Sequence, residues 1–124
     1  MSNLQQRAVA TTWPWPEELD ALVASREHHT LMFEDDEVRV IDTRIRPGER
    51  TAVHTHRYPS ILYIVATSDF LRYDAEGNVI TDSRKLSAPQ VSPSAFRVPP
   101  MPPHSVENIG TTLLHLVNVE FKKE

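Results

Sequence analysis

The sequence predicts an all-β barrel or sandwich with one short helix near its N-terminus. Three observations carry that reading. Short apolar runs recur along the chain with turn signals between them, and a helical spacing of apolar residues shows in one place. Prolines outnumber glycines ten to three, and six of the ten fall between Pro89 and Pro103. Proline lacks the backbone N–H of a ladder, so that stretch reads as connections and short edges rather than helix.

The helix comes first in the chain. The first dozen residues carry no periodic signal and are expected to hold no regular structure. Pro14 and Pro16 precede Glu17, Glu18, Leu19, Leu22 and Val23. Proline in the first turn, acids behind it and apolar residues three and four apart are helix-start signals. Trp13 and Trp15 stand just before it, placed to pin this arm onto the body. Residues 1–28 are read as the arm and 29–124 as the barrel.

Strand texture begins at His29. His29 to Glu34 is a short apolar run closed by Asp35–Asp36. Val38 to Ile45 follows, with Val38 and Val40 in one phase and Ile41, Thr43 and Ile45 in the other, a slip of the kind a β-bulge makes. Pro47–Gly48 marks a turn before Arg50 to His56. Ser60 to Thr67 is nearly all apolar, as for a strand buried on both faces. Phe70 to Tyr73, Val79 to Arg84, Ala95 to Val98, Ser105 to Asn108 and Thr112 to Phe121 continue the pattern. No internal repeat or second-domain boundary is visible in the 124 residues, a length that suits one domain.

Charge and composition narrow the function. The formal net charge is −4, with no block of lysine and arginine, which argues against a nucleic-acid partner. There is no cysteine, so neither a disulfide framework nor a thiolate metal site is available. No stretch approaches the ~20 apolar residues of a membrane span, and Met1 to Ala10 lacks the apolar run of a signal peptide. A cytoplasmic protein acting away from membranes is expected.

The histidines are the chemically informative residues. His54 and His56 stand two apart on a predicted strand, so both side chains leave the same face. Backbone positions roughly 6–7 Å apart let two imidazoles converge on one ion. His-x-His pairs also occur as plain polar strand faces, so the pair alone leaves both readings open. His104 lies far along the chain, where only a closed or sandwiched sheet can bring it to the same place. His28, His29 and His115 are read as surface or packing residues.

The residues around these histidines resemble the cupin family. Gly48-Glu-Arg-Thr-Ala-Val-His54-Thr-His56 is similar to the opening of the first cupin motif, and Pro99, His104 and Asn108 to the second. The resemblance covers roughly residues 30 to 121, most of the chain. It implies a jelly-roll barrel, or double-stranded β-helix, in which His54, His56 and His104 hold a divalent transition metal (Zn, Fe, Ni, Cu, Co or Mn). It also implies a homodimer paired through strand exchange or sheet packing.

The departures from the motifs bear on function. Ser60 and Ile61 stand where the first motif usually supplies a glutamate ligand, Thr67 where it closes on glycine, and Pro93 and Met101 where the second has glycine. No replacement acid is evident: Glu107 is in the wrong phase and Glu49 precedes its strand. Three neutral imidazoles leave the ion's charge uncompensated and a coordination position open, which favours an anionic ligand. Ser60, Tyr58, Tyr63 and Arg97 are the candidate ligand contacts, Arg97 as a carboxylate clamp if it points inward. The resemblance supports a dioxygenase-like enzyme on a small organic acid. The alternatives are a barrel that binds or senses a ligand without turnover, and a degenerate relative with a residual metal site.

Overall fold

The computed structural model describes residues 13–123, so the expectation for the first dozen residues lies outside it. The arm forms a 3-10 turn, Glu17–Leu19, and one turn of helix, α1 (Ala21–Ala24), capped by the Asp20 side chain, which accepts from the Leu22 N–H. Nine strands follow: β1 (His29–Glu34), β2 (Val38–Ile45), β3 (His54–His56), β4 (Ser60–Ala66), β5 (Phe70–Asp74), β6 (Val79–Asp82), β7 (Ser94–Val98), β8 (Met101–Asn108) and β9 (Leu114–Phe121). They make two antiparallel sheets, ordered β1-β2-β9-β4-β7 and β3-β8-β5-β6.

The strand count and order along the chain match the sequence reading, and the differences have local causes. β2 carries no phase slip. Arg39, Ile41, Thr43 and Ile45 all point inward, and the ladder to β9 runs unbroken from Val38↔Phe121 to Ile45↔Leu114. The apolar pattern misleads because a charged residue, Arg39, occupies a core position. The irregularity lies instead in β1, between Leu31 and Phe33. β3 is shorter than the expected Arg50–His56, with Arg50 contributing only an isolated bridge to Glu107. Val79–Arg84 ends as a strand at Asp82, where a 3-10 turn, Ser83–Lys85, takes over.

β8 starts earlier than predicted and runs through Pro102 and Pro103. Both prolines sit where the pairing with β3 lapses, between His56↔Met101 and His54↔His104, and before the pairing with β5 begins at His104. No ladder N–H is needed there, so proline is tolerated inside a strand. β4 is not buried on both faces: Ser60 and Leu62 are buried, whereas Tyr63 and Val65 are exposed on the outside.

The interior between the sheets is unusually polar. Among the described residues its buried apolar side chains are few (Ala21, Ile41, Ile45, Leu62 and Leu114), while His29, His54, His56, Ser60, His104, Asn108, Asn118 and Glu120 are also buried. Buried polar groups are retained where they have partners. Asn108 illustrates this: its amide donates to the Ile45 and Thr112 carbonyls, and its Oδ1 accepts from Ser68 Oγ and the Gly110 N–H. It ties the β8–β9 turn to the barrel. A Cβ on Gly110 would lie 2.1 Å from Ser68 Oγ, so that turn has room for glycine alone.

Candidate metal centre

Four histidines from three parts of the chain meet inside the barrel. His54 and His104 are register partners across β3 and β8, with ring centroids 4.4 Å apart. His56 packs 5.1 Å from His54 and 5.7 Å from His104. His29, the one buried residue of β1, completes the cluster at 4.6 Å from His54 and 5.5 Å from His56. His29 was read from the sequence as a surface or packing residue, and the structure corrects that. Its inward direction comes from pairing with Thr43 on β2, a relationship that no local pattern announces. His28 and His115 stay outside, facing Glu49 at 3.5 Å and Asp42 at 2.6 Å.

Each of the four rings is held through the same nitrogen. Nδ1 of His29 donates to the Ser25 carbonyl (2.9 Å), that of His54 to Ala52 (2.7 Å) and that of His104 to Pro102 (2.8 Å). His56 Nδ1 donates to Glu120 Oε2 at 3.0 Å. With the proton placed on Nδ1, every Nε2 presents a lone pair, the tautomer and orientation that metal-ligating histidines take. Donor atoms of His29, His54 and His56 all lie within 4.8 Å of one another. Nitrogens around one ion at ~2.1 Å sit roughly 3.0–3.4 Å apart in cis-octahedral or tetrahedral arrangements, so ring rotations must close the gap.

The electrostatics favour neutral imidazoles. Burial, reinforced by the neighbouring His56, lowers the His29 pKa to about 3. Burial lowers His104 to about 4 against the Pro102 hydrogen bond, helped by His56 and Arg72. His54 is driven well below its ordinary value by burial and by the other three rings. Uncharged rings are the form a cation requires, so the donor set suits a borderline metal such as zinc, iron, nickel or copper.

An acid does stand behind the cluster, and sequence reasoning missed it. Glu120 on β9 is fully buried, and its Oε1 accepts from Arg39 Nε at 2.6 Å while its Oε2 accepts from His56. Arg39 in turn donates to Asp20 Oδ1 at 2.6 Å. Burial opposes the charge on Arg39, but the two carboxylates outweigh it and raise its pKa. A chain of contacts therefore runs Asp20–Arg39–Glu120–His56. Glu120 belongs to the inward phase of β9 with Leu114, Leu116 and Asn118, a signal present in the sequence but hidden by the assumption that charges face out.

The other sequence candidates fall in different places. Ser60 points inward and is fully buried, accepting from Asn118 Nδ2 at 3.4 Å. Tyr58 lies beside Arg39, 5.2 Å from its guanidinium, and with Trp13, Trp15 and Thr55 lines a separate 270 Å³ hollow under the arm. Tyr63 is exposed on the outer face of β4. Arg97, which pairs with Ile61 from β7, is also exposed and lies over Phe121 at 5.8 Å. Neither lines the two cavities at the histidines.

Those two cavities abut. A small one of 40 Å³ is lined by all four histidines, and a larger one of 390 Å³ by mostly apolar side chains. Leu62, Arg72, Val106 and Leu116 line both. The small space suits an ion with a water or two, and the larger one a small organic molecule.

Two packed antiparallel sheets that enclose a histidine cluster define a double-stranded β-helix barrel of the cupin type. Solved structures agree. The chain is similar to a cupin domain from Bordetella pertussis (23% identity, TM-score 0.61, covering 76% of this chain and 91% of that one). It is also similar to a double-stranded β-helix protein from Klebsiella pneumoniae (16%, 0.55, 93% and 88%) and an RmlC-like cupin from Methanocaldococcus jannaschii (13%, 0.53, 75% and 79%). The chain has the cupin fold. No family model and no curated protein matches it. No helix among the described residues is long and apolar enough to cross a membrane.

Proposed function

We propose that this chain is a metal-binding cupin that acts on a small organic acid, as a metal-dependent enzyme of the dioxygenase type. The observation that carries the metal reading is the shared tethering of the four rings: each Nδ1 is tied, which leaves each Nε2 free, and all four residues line one small cavity. His54 and His56 are common to the sequence-derived trio with His104 and to the geometric trio with His29, and form the core of the site. A bound divalent ion supplies an open Lewis-acidic position and, for a redox metal, electron-transfer chemistry with dioxygen. The protein positions the imidazoles, keeps His29, His54 and His104 neutral, and offers the 390 Å³ cavity beside them for the organic ligand.

One observation favours the reading of a binding or sensing barrel without turnover. Among the described residues no carboxylate lines the small cavity, and Glu120 has both oxygens engaged. The site therefore holds no free general base, which disfavours isomerase chemistry in particular. Metal analysis of untagged protein after supplementation decides first. About one ion per chain is expected, and less than about a tenth would defeat the metal reading. Oxygen consumption by the iron-loaded protein with candidate acids then separates enzyme from binder.

A further inference from the structure

Arg72 is placed where the metal reading has no use for it. It lies on β5, in register with Val106 of β8, and the two side chains line both the histidine cavity and the larger one. Its Nε is buried without a hydrogen-bond partner, and no acid pairs with it among the described residues. This differs from Arg39, which has two carboxylates. A half-buried guanidinium whose buried Nε has no partner and which faces no anion is costly, and the structure keeps it at the junction of two cavities.

The larger cavity supplies the other half of the recognition. Leu62, Ile64, Phe70, Leu86, Val91 and Phe96 form much of its wall, and Arg72 is the one charged residue lining it among the described residues. Of the uncharged polar residues in its wall, Thr67, Gln90 and Ser94, the last two have their side chains already tied to the Ser68 and Val91 carbonyls. One end is therefore cationic and the remainder is greasy.

We infer that Arg72 is a carboxylate clamp, and that the ligand is a monocarboxylate with an apolar body, its head between Arg72 and the histidine site and its body in the 390 Å³ cavity. The inference rests on the proposed function for the position of the head, but the clamp itself needs no metal. A planar guanidinium offers paired N–H donors that match a carboxylate, and burial strengthens the pair. Burial also lowers the Arg72 pKa, a penalty that an anion in the cavity removes.

The test uses benzoate, phenylacetate and isovalerate against their amides, titrated by calorimetry into metal-loaded and chelator-stripped protein. At least one acid is expected to bind roughly ten-fold or more tighter than its amide in both forms. In Arg72→Met that preference disappears from the stripped protein, and Arg72→Lys keeps part of it. Melting curves and metal content of the variants show whether the barrel is intact, with Arg72→Gln as the fallback if Arg72→Met does not fold. Equal binding of acid and amide, binding of none of the six, or a preference that survives Arg72→Met and Arg72→Gln in stripped protein overturns the clamp. A preference seen in protein that takes up no metal upholds the clamp and defeats the metal reading instead.

Discussion

Ser60 and Glu120 are register partners across β4 and β9, and both are fully buried. Arg39 pairs with Glu120 from the other side, so the three residues form one row across three strands. The carboxylate absent from position 60 thus exists one strand away. From there it reaches His56 through the ring nitrogen that faces away from the common space, while its other oxygen holds Arg39. It orients the ring and lends the site negative charge without occupying a coordination position.

Glu120→Gln is expected to weaken metal binding by roughly 10–100-fold, because His56 loses the charged acceptor that sets its tautomer. Glu120→Leu is expected to destabilise the fold by about 3–5 kcal/mol as well, since it leaves Arg39 buried beside Asp20 alone. Competition against a chelator measures the first and thermal melting the second. Unchanged metal affinity in Glu120→Gln would remove Glu120 from the site.

Restoring the motif's acid at position 60 is expected to harm this protein. Ser60→Glu puts a second buried carboxylate beside Glu120, with Arg39 already engaged, and should cost more than about 3 kcal/mol. Combining it with Glu120→Ser should recover most of the loss by moving the acid across the row. Chemical denaturation of the two variants checks this, and additive losses in the double variant would contradict it.

Single alanine substitutions separate the ligands. His54→Ala and His56→Ala should each reduce bound metal to less than about a tenth of an equivalent, since both belong to either candidate trio. Comparing His29→Ala with His104→Ala shows which ring closes the site. Near-equal partial losses would mean that all four ligate. Metal content near one equivalent in His54→Ala would rule out the cluster as the binding site.

Acid should destabilise the metal-free protein early. Because the folded pKa values of His29 and His104 are lowered to about 3 and about 4, the unfolded chain binds more protons below its own value of 6.5. Their contribution to stability is therefore complete above about pH 6.5 and is lost as pH falls toward the folded values. By pH 4 the loss should reach roughly 3 kcal/mol for each ring. Melting of chelator-treated protein follows this, and His29→Phe should flatten the slope. A flat profile between about pH 6.5 and 4.5 would contradict the burial of neutral rings.

Exposed apolar residues on the outside of the five-stranded sheet, Tyr63 and Val65 of β4, offer a face for pairing two copies. Light scattering at micromolar concentration should give a dimer mass, and Val65→Glu should shift it toward the monomer. A monomer mass for the unaltered chain would dispose of the homodimer.

Much of the architecture was legible in advance. Pro47–Gly48 and Asp35–Asp36 mark strand ends through their own backbone preferences, and His54-x-His56 declares a shared face by spacing alone. The failures cluster where the barrel overrides local chemistry. Arg39 broke the apolar phase of β2 because its charge is matched by residues 19 and 81 positions away. Pro102 and Pro103 entered a strand because the ladder lapses beside them.

By itself the sequence determined the number and order of the strands, the His54–His56 pair, the lack of thiolate ligands and the loss of the acid at position 60. Those are properties of neighbouring residues. Tertiary structure alone decided that His29 joins the cluster, that Glu120 stands beside Ser60, and that Arg72 sits unpaired between two cavities. Each depends on the register between strands far apart in the chain. A shift of one residue would turn those side chains to the opposite face, and only the closed barrel specifies which register holds.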